Sequence, residues 1–137
     1  MGGRGQRTVA PEEILTGHAP VVVALANAAR AQILAMIDGV VEEADPAARC
    51  IRFRRSGVFA FVAPMADHVR LGFEHGHALP DVGSLLEGHG GPVRYLRLRT
   101  AEEVASRAVK MLISAALFDD ETHGFRRRAP RPPPPPR

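Results

Sequence analysis

The hydrophobic period of this chain changes twice, and few architectures accommodate both changes. Apolar residues first recur at Val22, Ala26, Ala29, Ile33, Ile37 and Val40, the spacing of a helix buried along one side. From Cys50 the period falls to two. Ile51 and Phe53 alternate with Arg52 and Arg54, and Val69, Leu71 and Phe73 alternate with Arg70, Gly72 and Glu74, as in strands with one covered face. After Thr100 the helical period returns. Two helical stripes and one apolar sheet face can all be buried only against each other. The pattern predicts an α+β fold: a two-layer sandwich with two helices packed on one face of a mainly antiparallel sheet.

The first helix is expected over 20–44. Pro20 suits its first position, where a missing N–H costs nothing. Gly39 would cost about 1 kcal/mol inside it, and Asp45-Pro46 would end it. Strands follow at 50–54, 58–63, 69–73 and 93–99, with turns at Ser56-Gly57 and Pro64–Asp67. A loop with room for one helical turn covers 76–92. Thr100 and Glu103 have the spacing of a capping box, so a second helix should run to Phe118 with Val104, Ala108, Met111, Leu112 and Ala115 inward. A second stripe on the first helix, Ala24, Ala28, Ala31 and Ala35, suits close packing, on the second helix in preference to a symmetry mate. The chain divides into a flexible leader (1–11), a single domain (12–125) and a disordered Arg/Pro-rich tail (126–137) ending in five prolines and an arginine.

Charge sharpens that division. The sequence pI is about 10.0 and the net charge +3, which would suit an acidic partner. Seven of the 18 basic residues lie in 1–11 and 126–137, where there is no acid, leaving 11 against 15 acidic residues between. The domain itself is therefore acidic. Cys50 is the only cysteine, which excludes an internal disulfide and a multi-cysteine zinc site and makes a cytoplasmic location the expectation. Glu12 and Glu13 stand where a signal peptide needs positive charge, and the uncharged stretch 14–29 is too short and too polar for a membrane span.

An ordered series of segments carries a family resemblance. Asp67-His68-Val69-Arg70-Leu71-Gly72-Phe73 is followed by Ala78-Leu79-Pro80-Asp81, then Leu85-Leu86-Glu87-Gly88-His89-Gly90, then Arg94-Tyr95-Leu96-Arg97-Leu98-Arg99-Thr100. Together they resemble the bacterial YdhG-like domain family, over about residues 20–118. The resemblance implies a fold similar to frataxin, with two helices on an antiparallel sheet. One family member is described as an iron chaperone, so it also implies metal handling as a second reading. The chain departs from the family twice. Phe53-Arg54-Arg55-Ser56-Gly57-Val58 lacks the proline usual before the second strand, and Gly88-His89-Gly90-Gly91 lacks the usual terminal lysine.

Candidate sites follow from residue type and parity. Arg52, Arg54, Arg70, Arg97 and Arg99 share the outer parity of their strands and would form a cationic patch for an acidic ligand. His68, at a strand start, joins them as a ligand-binding candidate, although neighbouring Asp67 should point away from it in an extended chain. His75, His77, Glu87 and His89 offer imidazole and carboxylate to Fe or Zn if they converge. Cys50 lies near Arg49 and Arg52 but reads as a small buried hydrophobe. The Gly88–Gly91 loop lacks the Gly-Lys-Ser/Thr of a phosphate loop and reads as a tight turn. No base–nucleophile pair emerges, so a non-enzymatic binding or interaction domain is the leading reading, with no resident cofactor. Its expected partner is a protein or small acidic ligand. Neither a membrane nor a specific nucleic acid is expected, since Tyr95 alone offers an aromatic platform on that face. The assembly would be a monomer or homodimer. The alternative is an Fe- or Zn-binding protein resembling frataxin.

Overall fold

Gly39 does not lie inside a helix. In the computed structural model, which describes residues 8–81 and 83–128, helix α1 spans Pro20–Met36. Ile37 is already extended (φ −159°, ψ 146°). Gly39 adopts φ 88°, a left-handed conformation that glycine enters without strain. The chain reverses there and forms a strand, β1 (Val41–Asp45). The residue before Pro46 is indeed extended, but as the last residue of a strand, where the constraint that proline imposes is met without cost.

The other strands are β2 (Cys50–Arg54), β3 (Val58–Pro64), β4 (Val69–Phe73) and β5 (Arg94–Leu98). They form one antiparallel sheet whose order, β1-β2-β3-β4-β5, follows the chain. Register fixes the two faces. Ala44, Ile51, Val62, Leu71 and Leu96 align across all five strands on the inner face, and the last four are buried. On the outer face Glu43, Arg52, Phe61, Gly72 and Tyr95 align in the same way. Phe59 is the extra residue of a bulge, because Phe53 pairs with Ala60 while Arg54 pairs with Val58. It is buried with the core.

Beyond β5 the expected capping box is present. Thr100 Oγ1 accepts from the Glu103 N–H at 3.1 Å, and the Glu103 carboxylate accepts from the Thr100 N–H at 3.0 Å. It caps only a short helix, α2 (Ala101–Val104). Ser106 Oγ then accepts from the Val109 N–H at 3.2 Å, and α3 runs from Arg107 to Arg128. This interruption resets the helical phase. Val109, Leu112, Ile113, Ala116 and Leu117 are buried, while Met111, expected inward, is 55% exposed, and so is Ala108. Helix α3 also continues past Phe118 and takes in 126–128, which were expected in the disordered tail. Residues 129–137, and 1–7 of the leader, lie outside the described residues.

A single apolar core unites α1, the inner sheet face, α2 and α3, which is the two-layer α+β arrangement expected. The start of the domain joins it as well. Pro11–Leu15 forms a 3-10 turn that buries Leu15. Above it, Arg30 on α1 donates to Glu42 at 2.6 Å and to Glu12 at 2.8 Å. Those bonds, the one to Glu42 foremost, raise the Arg30 pKa and, through the Arg30 contact, hold Glu12 below the usual carboxylate range. The far half of α3 is tied to the β2–β3 turn. Buried Asp120 accepts from the Ser56 and Gly57 N–H groups, each at 2.8 Å. Ala24, Ala31 and Ala35 are exposed and Ala28 only partly covered, so the alanine stripe does not pack on a second helix. No helix among the described residues is long and apolar enough to cross a membrane.

Candidate functional site

Outer parity places Arg52, Arg54, Arg70 and Arg97 on their strands as expected, yet their charge is largely spent. Arg52 donates to Asp45 at 2.8 Å and to Glu74 at 2.5 Å. Arg54 pairs with Glu43 at 3.2 Å, and Arg97 with Glu87 at 3.2 Å. The carboxylates come from β1, unforeseen as a strand, and from the ends of neighbouring segments. The face is therefore a charge-paired lattice and not the uniform cationic patch expected. Arg99 lies just beyond β5, exposed.

Arg70 is the one of the four on strands that has no such pair. It stands opposite Arg97 in the register, a pairing of like charges that disfavours close approach. Its guanidinium carbon lies 4.6 Å from the centre of the Tyr95 ring, a cation–π contact. No carboxylate pairs with it among the described residues, and its Nε is buried without a hydrogen-bond partner.

Arg70 lines an open groove of about 810 Å³ with Arg52, Phe61, Met65, Val93 and Tyr95. Gly72 shapes its floor. A Cβ there would overlap the Phe61 ring, so only the bare backbone of β4 lets that ring lie across the sheet. Cys50 also lines the groove. Burial pushes its thiol pKa up against the opposing pull of Arg52, so it is less readily ionised than a free thiol. Of the residues expected to bind a ligand, Arg52 and Arg70 line this groove. Arg54, Arg97, Arg99 and His68 do not.

His68 is 9% exposed. Its Nδ1 lies 2.7 Å from Asp67 Oδ1, and its Nε2 is buried without a partner. Asp67 does not point away, as an extended chain would require. Residues 66–68 form a bend, which brings adjacent side chains together. That contact holds the Asp67 carboxyl below its usual range.

The metal quartet is dispersed. His75 lines a small cavity beneath α3 with Phe59, Phe73 and Asp120, whereas His77 is exposed with its Nδ1 3.3 Å from the Pro92 carbonyl. Glu87 bridges to Tyr95 through its backbone and to Arg97 through its side chain, and His89 is exposed. No group of three or more His, Cys, Asp or Glu side chains able to hold a metal occurs among the described residues. The glycine loop has positive φ at Gly88, Gly90 and Gly91. Its carbonyls at Gly90 and Gly91 accept from Arg94 at 3.0 and 2.9 Å, so the loop turns oxygens, not N–H groups, toward its occupant. It holds a cation and is no phosphate cradle.

The Asp45–Arg52 pair gives a pH dependence. The Arg52 hydrogen bond holds the Asp45 pKa below the ordinary 3.8. With the folded value below the unfolded one, its contribution is whole above 3.8 and is lost as pH falls through the depressed value. Asp45→Asn should lower the melting temperature by about 2–5 °C at pH 7, the scale of a half-exposed pair. The difference from the parent should narrow as pH falls below 3.8 in thermal scans. A gap that persists there would mean the pair contributes nothing through charge.

Searches with this chain against family models, curated proteins and solved structures find no match.

Proposed function

We propose that this chain is a non-enzymatic, YdhG-like binding domain that takes a small acidic ligand on the open face of its sheet. One observation carries the reading. Arg52, Arg54 and Arg97 are each matched by a carboxylate, while Arg70, in the groove, rests on an aromatic ring with no acid beside it among the described residues. A guanidinium so placed has its charge and its fork of donors uncommitted, and carboxylates fit that fork. Paired arginines around it hold their side chains in place and leave one point of recognition instead of a diffuse positive surface. The carboxylates on the same face repel a polyanion, which argues against a nucleic-acid backbone as the partner.

The test is a titration of the isotopically labelled protein with small organic acids, followed by amide chemical shifts. Shifts should cluster on Arg52, Phe61, Arg70 and Tyr95 and disappear in Arg70→Glu. Shifts confined to the 76–92 loop, or unchanged in Arg70→Glu, would refute the reading.

A further inference from the structure

The groove sets its few charged residues among mostly apolar walls, which says more about the ligand than its sign. We infer that it binds a monocarboxylate bearing an unbranched or flat apolar body, with the carboxylate on Arg70 and the body over Phe61, Ala63, Pro64 and Met65. This rests on the binding reading above and specifies the ligand class.

Charge bookkeeping favours one negative charge. The charged residues lining the groove are Arg49, Arg52, Arg70 and Glu74. Arg52 is engaged by two carboxylates, Glu74 within the groove and Asp45 at its edge. That leaves Arg70 on its strand and Arg49 on the exposed turn before β2 without an acid among the described residues. Three arginines against Glu74 and Asp45 leave a net charge of +1, which one carboxylate neutralises and a phosphate dianion exceeds.

The apolar walls give the second constraint. The side chains of Cys50, Phe61, Ala63, Pro64, Met65 and Val93 line the groove beside those of His18 and Tyr95, and these six offer no hydrogen bond beyond the weak thiol. A polar body such as a sugar or a peptide backbone would lose its water there without replacement, a net cost. Stacking of a nucleobase is also disfavoured. Arg70 covers one face of Tyr95, and the edge of the Phe61 ring sits over Gly72. An alkyl or aryl chain needs no partner and gains from each methylene it buries.

Calorimetric titration with octanoate, acetate, octanol and octyl phosphate tests this. Octanoate should bind at least about 100-fold more tightly than acetate, from its buried methylenes. It should bind at least about tenfold more tightly than octanol, from the charge-assisted contact. Arg70→Gln should remove that tenfold advantage and leave octanol binding unchanged. Arg70→Lys, which keeps the charge and loses the fork, serves if Arg70→Gln does not fold, and should weaken octanoate several-fold. Arg97→Gln, outside the groove, should change nothing. Acetate equal to octanoate, or octyl phosphate tighter than octanoate, would overturn the ligand class while leaving an acid-binding groove. Indifference of every probe to Arg70 would overturn the groove itself.

Discussion

Asp120→Ala should destabilise the protein by about 3 kcal/mol, the scale of losing a buried, hydrogen-bonded charge contact. Both Asp120 oxygens are committed, one to the Ser56 N–H and one to the Gly57 N–H. Alanine leaves those two donors under α3 without the one carboxylate that accepts from both. For a domain of this size the melting temperature should fall by about 12–18 °C. Asp120→Asn keeps one acceptor and turns an NH₂ toward the other donor, so its cost should lie between that of Ala and the parent. The neighbouring pair is the control. Arg55 and Glu121 meet at 2.7 Å but are largely exposed, so Glu121→Ala should cost under about 1 kcal/mol. A fall for Asp120→Ala no larger than that of Glu121→Ala would show that α3 is not anchored through this carboxylate.

Phe73→Ala should cost more still, about 4 kcal/mol. Phe73 lies on β4 with strands on both sides and is 0% exposed. Its ring already borders a cavity of about 10 Å³ beneath α3, room for about one water molecule. Truncation joins the volume of the ring to that void, and the sheet on one side and the helix on the other restrict collapse. The loss is a large fraction of the about 5–15 kcal/mol that holds an ordinary domain together. Urea unfolding should show a much lower midpoint with an unchanged slope. Phe73→Leu, which refills most of the space, should recover more than half. Equal losses for Leu and Ala would place the cost in the aromatic ring's contacts and not in the cavity.

The layers of this fold can be read from periodicity because burial imposes them. Cys50–Arg54 and Val69–Phe73 are strands from end to end, as alternation demands. Two errors have the same origin. Ile37 and Val40 continued an apolar helical stripe, so Gly39 read as a tolerated flaw when it marks a reversal at φ 88°. Met111 read as inward because the stripe was counted from Thr100, without the restart at Ser106. Phase is set locally by caps, and a pattern carried across an unseen cap rotates away from the core.

The site was legible in part for a different reason. Parity placed Arg52 and Arg70 on the open face, but parity says nothing about which arginine meets a carboxylate. Glu43 and Asp45 could be assigned to the others only once β1 was known to be a strand. Nothing in the linear chain showed that Gly72 accommodates the Phe61 ring, since that contact crosses from one strand to the next. The scattering of His75, His77, Glu87 and His89 was likewise hidden, because short sequence separation in a loop does not fix the direction of a side chain.

Because each strand pairs with the one made just before it, the sheet can assemble in the order of synthesis. Every new strand meets a finished edge, and the loops to be closed are short up to β4 and longer only before β5. The tie from Asp120 back to Gly57 has a different timing. It spans 63 residues and waits for the far half of α3, so Phe59 and Phe73 stay uncovered on that side until the final helix arrives. A nascent chain halted within α3 would carry a nearly complete sheet with an apolar face still open, the form most prone to associate with its neighbours.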